Sequence, residues 1–187
     1  MTTATQEVHS KGLYVNALNE ILKNIENDPS NGRIQFDVKS DINGQSQIMS
    51  RVESIVPGSG KVRRKNTVIS EEPFELSGDA QAFNPQELLL SALNSRLMVG
   101  YVMGAANRGI TLDRLEINMQ GELDLMSFLG WEEKTQSTLA MIHFTVRLRG
   151  TGTVDEFKDI HKSVVHNAMT RFNLMGSASL SGTLIIE

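Results

Sequence analysis

The longest apolar segment of the sequence runs from Phe83 to Ile110 and reads F-N-P-Q-E-L-L-L-S-A-L-N-S-R-L-M-V-G-Y-V-M-G-A-A-N-R-G-I. Asn84 can cap a helix with its side-chain oxygen, and Pro85 suits the first helical position, where no N–H is needed. At the other end, Gly109 can adopt the left-handed conformation that stops a helix. These signals predict a helix over residues 84–109, about six turns long.

Apolar side chains cover nearly the whole circumference of this helix, so other elements must enclose it. A membrane span would look similar, but Asn94, Ser95 and Arg96 interrupt the run near its middle, and an arginine at mid-bilayer is costly. We therefore expect a buried central helix in a soluble protein. Gly100 and Gly104 flatten one side of the helix, which favours ordinary close helix packing over a dimer axis.

Arg96 is the unusual residue of this helix, because its neighbours at helical spacing are small or apolar. A buried guanidinium without a partner is strongly destabilising. Two interpretations follow from the residues alone. Arg96 either pairs with an aspartate or glutamate from another segment, or it anchors an anion at the floor of a pocket.

Composition narrows the classes of function. The chain has 187 residues, 40 % of them hydrophobic, which predicts one domain of mixed class over residues 1–187. A net charge of −4 gives no electrostatic reason to expect nucleic acid or an anionic membrane as partner. The N-terminus lacks the apolar core of a signal peptide, so we expect a cytoplasmic protein.

The absence of cysteine has direct chemical consequences. It excludes disulfides, thiolate nucleophiles and sulfur ligation of zinc or iron. His161 and His166 are five residues apart, so they do not share a helix face as a metal-binding pair would. We expect no metal site and no cofactor.

The remaining pattern alternates between helix and strand. It predicts an amphipathic accessory helix over 13–25 and strands over 34–38, 47–56 and 67–69, with a basic hairpin tip at 61–65. Strands over 115–124 and 140–149 follow. Thr153 and Glu156 form a capping-box pattern at the start of a second long helix over 154–172, and the last strand runs over 180–186. Between two of the strands, Phe128 and Trp131 form an apolar cluster. Such a cluster is either a loop folded back on its own core, or a lid or partner patch.

Several motifs carry a resemblance to a known family. The stretch N-P-Q-E-L-L-L-S-A-L-N-S-R-L, followed by R-G-I and the strand L-E-I-N-M-Q-G-E-L-D-L, resembles the OsmC/Ohr family of peroxide-stress proteins, in particular its long members with an extra N-terminal helix. The likeness extends from about Gln47 to Ile186. It implies an α+β OsmC-like fold, with antiparallel sheets wrapped around a long buried central helix. It also implies an intertwined homodimer with sites at the subunit interface.

The resemblance also implies where the family chemistry would lie. Family members that reduce organic hydroperoxides use a reactive cysteine on the central helix, a resolving cysteine on the later helix, and a nearby arginine and glutamate. The reactive cysteine corresponds to Arg96 and the resolving cysteine to Ala168. The helix-start glutamate corresponds to Gln86. The activating arginine lies in a variable early segment of the family, where Arg63 or Arg64 is the nearest counterpart in this sequence. Every catalytic position that can be matched is replaced.

The leading hypothesis is a non-catalytic homodimer that binds a small hydrophobic or anionic ligand. Arginine is a permanent cation without a nucleophilic sulfur, so the peroxide-cleaving step has no attacking atom. A fatty-acid-like carboxylate would suit an apolar channel that ends at a guanidinium. The candidate ligand-binding residues are Arg96, Asn94, Gln86, Glu87, Phe128 and Trp131.

Two alternatives remain open at this stage. The first is an enzyme of another kind, in which Arg96 polarises a substrate while His161, His166 or Glu87 carries a proton. The second is a structural or regulatory dimer, in which a salt bridge of Arg96 at the interface closes the pocket.

Overall fold

The structure of the chain is a computed structural model. It describes residues 13–44, 46–56, 60–76, 78–131, 141–171 and 179–187. The chain divides into two compact units, Met1–Pro85 and Gln86–Glu187, which we describe separately. The organisation as a single domain over residues 1–187 stays a prediction.

The first unit contains one helix and a three-stranded sheet. A short 3₁₀ turn follows helix α1. The strands are arranged in the order β1-β2-β3, and both neighbouring pairs are antiparallel. Gly44, at φ +74°, makes the turn between β1 and β2. The elements are α1 (Leu13–Asn27), β1 (Gln35–Asn43), β2 (Gln47–Val56) and β3 (Gly60–Glu71).

Strand β3 is longer than the sequence pattern predicts. The prediction of a strand over 67–69 with a basic hairpin tip at 61–65 is wrong, because Lys61 to Arg63 pair with Glu53 to Ile55 of β2. Backbone hydrogen bonds of a ladder do not depend on side-chain polarity, so a basic run can continue a strand that already has a partner.

Strand β1 carries an exposed apolar face within the chain. Phe36, Val38 and Ile42 are 66 %, 61 % and 78 % exposed. On α1, Ile21 and Leu22 are also exposed. The described part of the first unit therefore leaves large apolar side chains uncovered.

The second unit is built from helices and a mixed sheet. Its elements are α2 (Pro85–Ala106, whose first residue belongs to the first unit), β4 (Leu112–Glu122), the short α3 (Leu125–Phe128), β5 (Met141–Gly150), α4 (Val154–Arg171) and β6 (Ser179–Ile186). The strand order is β4-β5-β6. β4 and β5 pair antiparallel, whereas β5 and β6 pair parallel, because α4 crosses over between them.

The predicted signals at the C-terminal end of α2 and at the N-terminal end of α4 are confirmed. Gly109 has φ +67° after α2, and the N–H of Ile110 donates to the carbonyl of Ala105 at 3.0 Å. At the start of α4, the N–H of Thr153 donates to the Glu156 carboxylate at 2.8 Å, and the N–H of Glu156 donates to the Thr153 hydroxyl at 3.3 Å. The two side chains therefore form the predicted capping box.

The hydrophobic core of the second unit lies between the sheet, α2 and α4. One face of each helix and the inward positions of β5 supply most of it: Leu93, Leu97, Tyr101 and Ala105; Ile142, Phe144, Val146 and Leu148; Phe157, Ile160, Val164 and Ala168. The buried residues of α2 recur every four positions, so they form a single stripe.

Among the described residues, the second unit buries only one face of α2. Leu89, Val99 and Val102 are 47 %, 48 % and 47 % exposed, although the sequence is apolar all round. By length and composition this helix could cross a membrane. Its buried stripe, however, belongs to the core of the second unit.

Candidate functional site

The close packing of α2 against α4 builds the candidate site. A Cβ atom on Gly100 would lie 3.2 Å from Cγ1 of Val164, and one on Gly104 would lie 3.0 Å from Cγ2 of Ile160. These glycines therefore allow two helices of the same chain to approach closely, as the sequence favoured. Since position 100 faces 164 and position 104 faces 160, the two helices run antiparallel.

Continuing this register by one turn places Arg96 opposite Ala168. The resemblance assigns the two family cysteines to these positions, and the structure shows both residues lining one cavity. Ala168 is buried, and its side chain is small. A small residue opposite the arginine leaves space where a larger one would fill the groove.

The cavity has a volume of about 290 Å³ and lies along the groove between α2 and α4. Its polar lining residues are Arg96, Asn107, Arg108, Ser163 and Asn167. Leu97, Met103 and Val164 supply apolar surface. Among the described residues that line it there are two guanidinium groups and no carboxylate, so the cavity is positively charged in a chain whose net charge is −4.

Arg96 itself is exposed in the single chain. The expectation of a buried guanidinium is therefore wrong for one chain, because the elements of the second unit enclose only the opposite stripe of α2. The ion pairs found in the described part of the chain do not include Arg96. No carboxylate in that part closes the groove.

Asn94 points away from the cavity. It lies two residues before Arg96, roughly 200° around the helix. Its side-chain N–H donates to the carbonyl of Ile117 in β4 at 3.2 Å. Its buried Oδ1 has no hydrogen-bond partner within the described residues. A ligand-binding role for Asn94 stays a prediction.

The remaining candidates are spread over other parts of the chain. Gln86 and Glu87 lie in the first turn of α2, about 15 Å along the helix axis from Arg96. Trp131 is 76 % exposed after α3. The side chain of Phe128 lies outside the described residues, as do those of Arg63 and Arg64. None of these residues is among the cavity-lining residues of the described part of the chain.

A partly buried polar pair joins α2 to α4. The hydroxyl of Tyr101 lies 2.6 Å from Nδ1 of His161, and the imidazole also packs against the ring of Phe144, with centroids 6.2 Å apart. Burial raises the pKa of the Tyr101 hydroxyl and lowers the pKa of His161. The neutral imidazole can therefore accept the tyrosine proton in a hydrogen bond when its own proton is on Nε2.

Sequence reasoning missed this pair, because its members are far apart along the chain and lie on different helices. The only available signal was a tyrosine on the apolar stripe of α2, since a buried tyrosine hydroxyl needs a partner. His161 and His166 line a separate hollow on α4, together with Lys162. The structure therefore does not bring either histidine into the cavity of Arg96.

The fold agrees with comparisons to known proteins. The chain has an α+β fold. One similar solved structure is that of an OsmC-like protein from Mycoplasma pneumoniae, which is 15 % identical in sequence and has a TM-score of 0.63. The alignment covers 81 % of this chain and 96 % of that one. An OsmC-like protein of unknown function from Vibrio cholerae gives 12 % identity, a TM-score of 0.55, and coverage of 82 % and 99 %. At such identities the likeness shows the fold alone.

The sequence matches the family described as OsmC-like protein over residues 78–180. The chain therefore belongs to the OsmC family, and the predicted OsmC-like fold is confirmed. This fold is that of a soluble protein, as the sequence favoured. A comparison with curated proteins finds no match.

The register of α2 and α4 can be tested by cross-linking. Because the chain has no cysteine of its own, an Arg96→Cys, Ala168→Cys double variant contains only the introduced pair. We expect mild oxidation to form an intrachain disulfide, since the glycines bring the two helices close enough for bridging geometry. Non-reducing electrophoresis and intact-mass measurement would detect it.

The matched control is Arg96→Cys combined with His166→Cys, because position 166 lies on a different side of α4 from 168. We expect this pair to cross-link much more slowly. Equal rates for the two pairs would contradict the register.

The Tyr101–His161 pair predicts a pH dependence of stability. The folded-state pKa of His161 lies below its ordinary value of 6.5, so the unfolded chain binds more protons between the two values. The stability that depends on the neutral imidazole is therefore present above about pH 6.5 and is lost as the pH falls through the folded-state pKa. Urea unfolding as a function of pH would measure this loss.

A His161→Gln variant keeps an acceptor for Tyr101 but does not titrate, so we expect its stability to fall less steeply in this acidic range. The matched control is His143→Gln, which removes a histidine at an exposed position of β5. The assignment fails if the two variants give the same pH profile.

Proposed function

We propose that this protein is a dimeric, cytoplasmic binding protein of the OsmC family that has lost thiol peroxidase activity. It binds a small anionic or fatty-acid-like ligand in the groove between α2 and α4. The observation that carries the proposal is Arg96. It occupies the position of the family's reactive cysteine in the wall of a cavity without a carboxylate among its described residues.

The loss of peroxidase activity follows from the absence of any thiol. Reduction of a hydroperoxide by this family needs a thiolate to attack the peroxide oxygen and a second sulfur to resolve the product. A guanidinium stays protonated at every physiological pH and has no sulfur to oxidise. It can orient an anion, but it cannot replace the nucleophile.

The cavity has the properties that binding of a small anion requires. Arg96 presents a planar set of N–H donors that suits a carboxylate, and charge-assisted hydrogen bonds of this kind are stronger than neutral ones. Leu97, Met103 and Val164 provide apolar contact for the rest of the ligand. A volume of about 290 Å³ is at the small end of ligand pockets, so the ligand is compact or slender.

The proposed dimer explains the apolar surface that a single chain leaves uncovered. Leu89, Val99 and Val102 of α2 and Phe36 and Val38 of β1 are large apolar side chains in contact with solvent. Each contributes on the order of 1 kcal/mol when it is buried. A second copy of the chain that covers both faces would also place the exposed side of Arg96 at the subunit interface.

We expect light scattering after size exclusion to give twice the mass of one chain. A Val102→Asp variant places a charge on the exposed face of α2, and we expect it to weaken the dimer at least tenfold, because burying an unpaired carboxylate is costly. Val154→Asp is the control, since Val154 is similarly exposed but begins α4, where an acidic side chain is tolerated. A monomeric wild-type protein would contradict the proposed dimer.

Ligand binding can be measured by native mass spectrometry and by thermal unfolding with added decanoate. We expect a bound small molecule or a raised Tm in the wild type, and about a tenfold to hundredfold weaker affinity in Arg96→Leu, the range expected for losing a charged hydrogen bond. Arg149→Leu removes an exposed arginine from β5 instead, so it should bind like the wild type.

Two results would count against the proposal. If no small molecule co-purifies and decanoate leaves the Tm unchanged, the ligand site is wrong. Turnover of an organic hydroperoxide with a dithiol reductant, above a heat-killed control, would contradict the lost peroxidase activity.

A further inference from the structure

The end of the cavity opposite Arg96 is charged as well. Arg108 and Asn107 line it just beyond the C-terminal end of α2, twelve and eleven residues after Arg96, which corresponds to roughly 18 and 16 Å at the helical rise. Arg108 folds back toward the middle of the groove, because its Nη1–H donates to the carbonyl of Gly104 at 3.1 Å. Its guanidinium therefore lies beside a position about 12 Å along α2 from Arg96.

Arg108 keeps most of its hydrogen-bonding capacity. A guanidinium has five N–H donors, and the bond to Gly104 uses one of them. The Glu156 carboxylate lies close enough to interact electrostatically with Arg108. That carboxylate, however, accepts hydrogen bonds from both the N–H and the hydroxyl of Thr153. In the described part of the chain, no carboxylate forms an ion pair with Arg108.

The lining of the cavity between Arg96 and the Arg108 guanidinium is mostly apolar or glycine, with Ser163 on α4 as a polar exception. Gly100 and Gly104 contribute no side chains there, and Leu97 and Val164 are apolar. A volume of about 290 Å³ corresponds to roughly ten water molecules. A cavity of that volume that extends over three turns of α2 accommodates a slender ligand rather than a ring system or a branched chain.

A simple fatty acid satisfies only one end of this arrangement. Its carboxylate would meet Arg96, and its methyl end would lie beside Arg108 and Asn107, two exposed polar side chains to which a methyl group offers no hydrogen-bond acceptor. A ligand with an acidic group at each end offers acceptors at both ends.

We propose that the cavity selects an elongated dianion, in which two acidic groups are separated by an unbranched apolar spacer. One acidic group binds Arg96, and the other binds Arg108 and Asn107. This inference rests on the proposed function, because it takes the same cavity as the ligand site. It adds the ligand class and assigns Arg108 as a specificity residue.

The length of the spacer is set by the rise of α2 between Arg96 and Gly104, whose carbonyl Arg108 contacts, which is about 12 Å. An extended chain of ten carbons spans roughly 11 Å, from C–C bonds of about 1.5 Å at tetrahedral angles. Decanedioate is therefore a suitable probe, and decanoate is its matched single-headed control. Hexanedioate is too short to reach both arginines.

Isothermal titration of the full-length protein tests the inference. We expect decanedioate to bind about tenfold to a hundredfold tighter than decanoate, whereas hexanedioate and hexanoate should bind equally weakly. In Arg108→Gln, the preference for decanedioate over decanoate, taken as the ratio of the two affinities in the same variant, should fall close to one. Arg108→Lys should restore part of the preference, because it keeps the charge.

The outcomes separate this inference from the proposed function. If decanoate binds in an Arg96-dependent way but decanedioate has no advantage, or if Arg108→Gln leaves that advantage intact, the dianion inference is overturned and the anion site at Arg96 stands. If neither compound binds the wild type, both proposals are overturned. Far-ultraviolet circular dichroism and the Tm of each variant establish that it is folded.

Discussion

The contact between Gly100 and Gly104 of α2 and Val164 and Ile160 of α4 is the constraint on which the second unit depends. A Cβ added at position 100 or 104 would lie 3.2 or 3.0 Å from a side-chain methyl group of Val164 or Ile160, so an alanine there would require that methyl group to shift. The contact sets the register of the two helices, and the register in turn places position 96 opposite position 168. Helix packing, and not the chemistry of either residue, thus creates the groove in which Arg96 lies.

The two sides of α2 meet different environments. Leu93, Leu97 and Tyr101 are almost fully buried against the sheet and α4, whereas Val99 and Val102 remain about half exposed. A soluble protein rarely keeps a large apolar patch in water unless something binds there. The fold of one chain therefore explains why one face of α2 is apolar. The proposed second copy of the chain would explain the apolar residues on the exposed face.

The parts of the fold that were predicted from the sequence depend on local signals. The Thr153–Glu156 capping box and the left-handed Gly109 are properties of a few adjacent residues, so both were predicted with their positions. The exposure of Arg96 and the hydrogen bond of Asn94 to β4 could not be predicted in this way. They depend on which face of α2 meets the sheet, and an all-round apolar helix gives no indication of that face.

The sequence also does not indicate which residues of α2 and α4 face each other across the groove. A resemblance to the family gave Arg96 and Ala168 as replaced positions, but only the antiparallel register shows that the two substitutions act on one cavity. A bulky cation on one wall is compatible with an open groove because the opposite wall carries a methyl group. If the correspondence that the resemblance implies is right, a positive charge with space in front of it stands where relatives have a nucleophile and its resolving sulfur. Such an arrangement provides what binding of an anion needs and lacks what thiol chemistry needs.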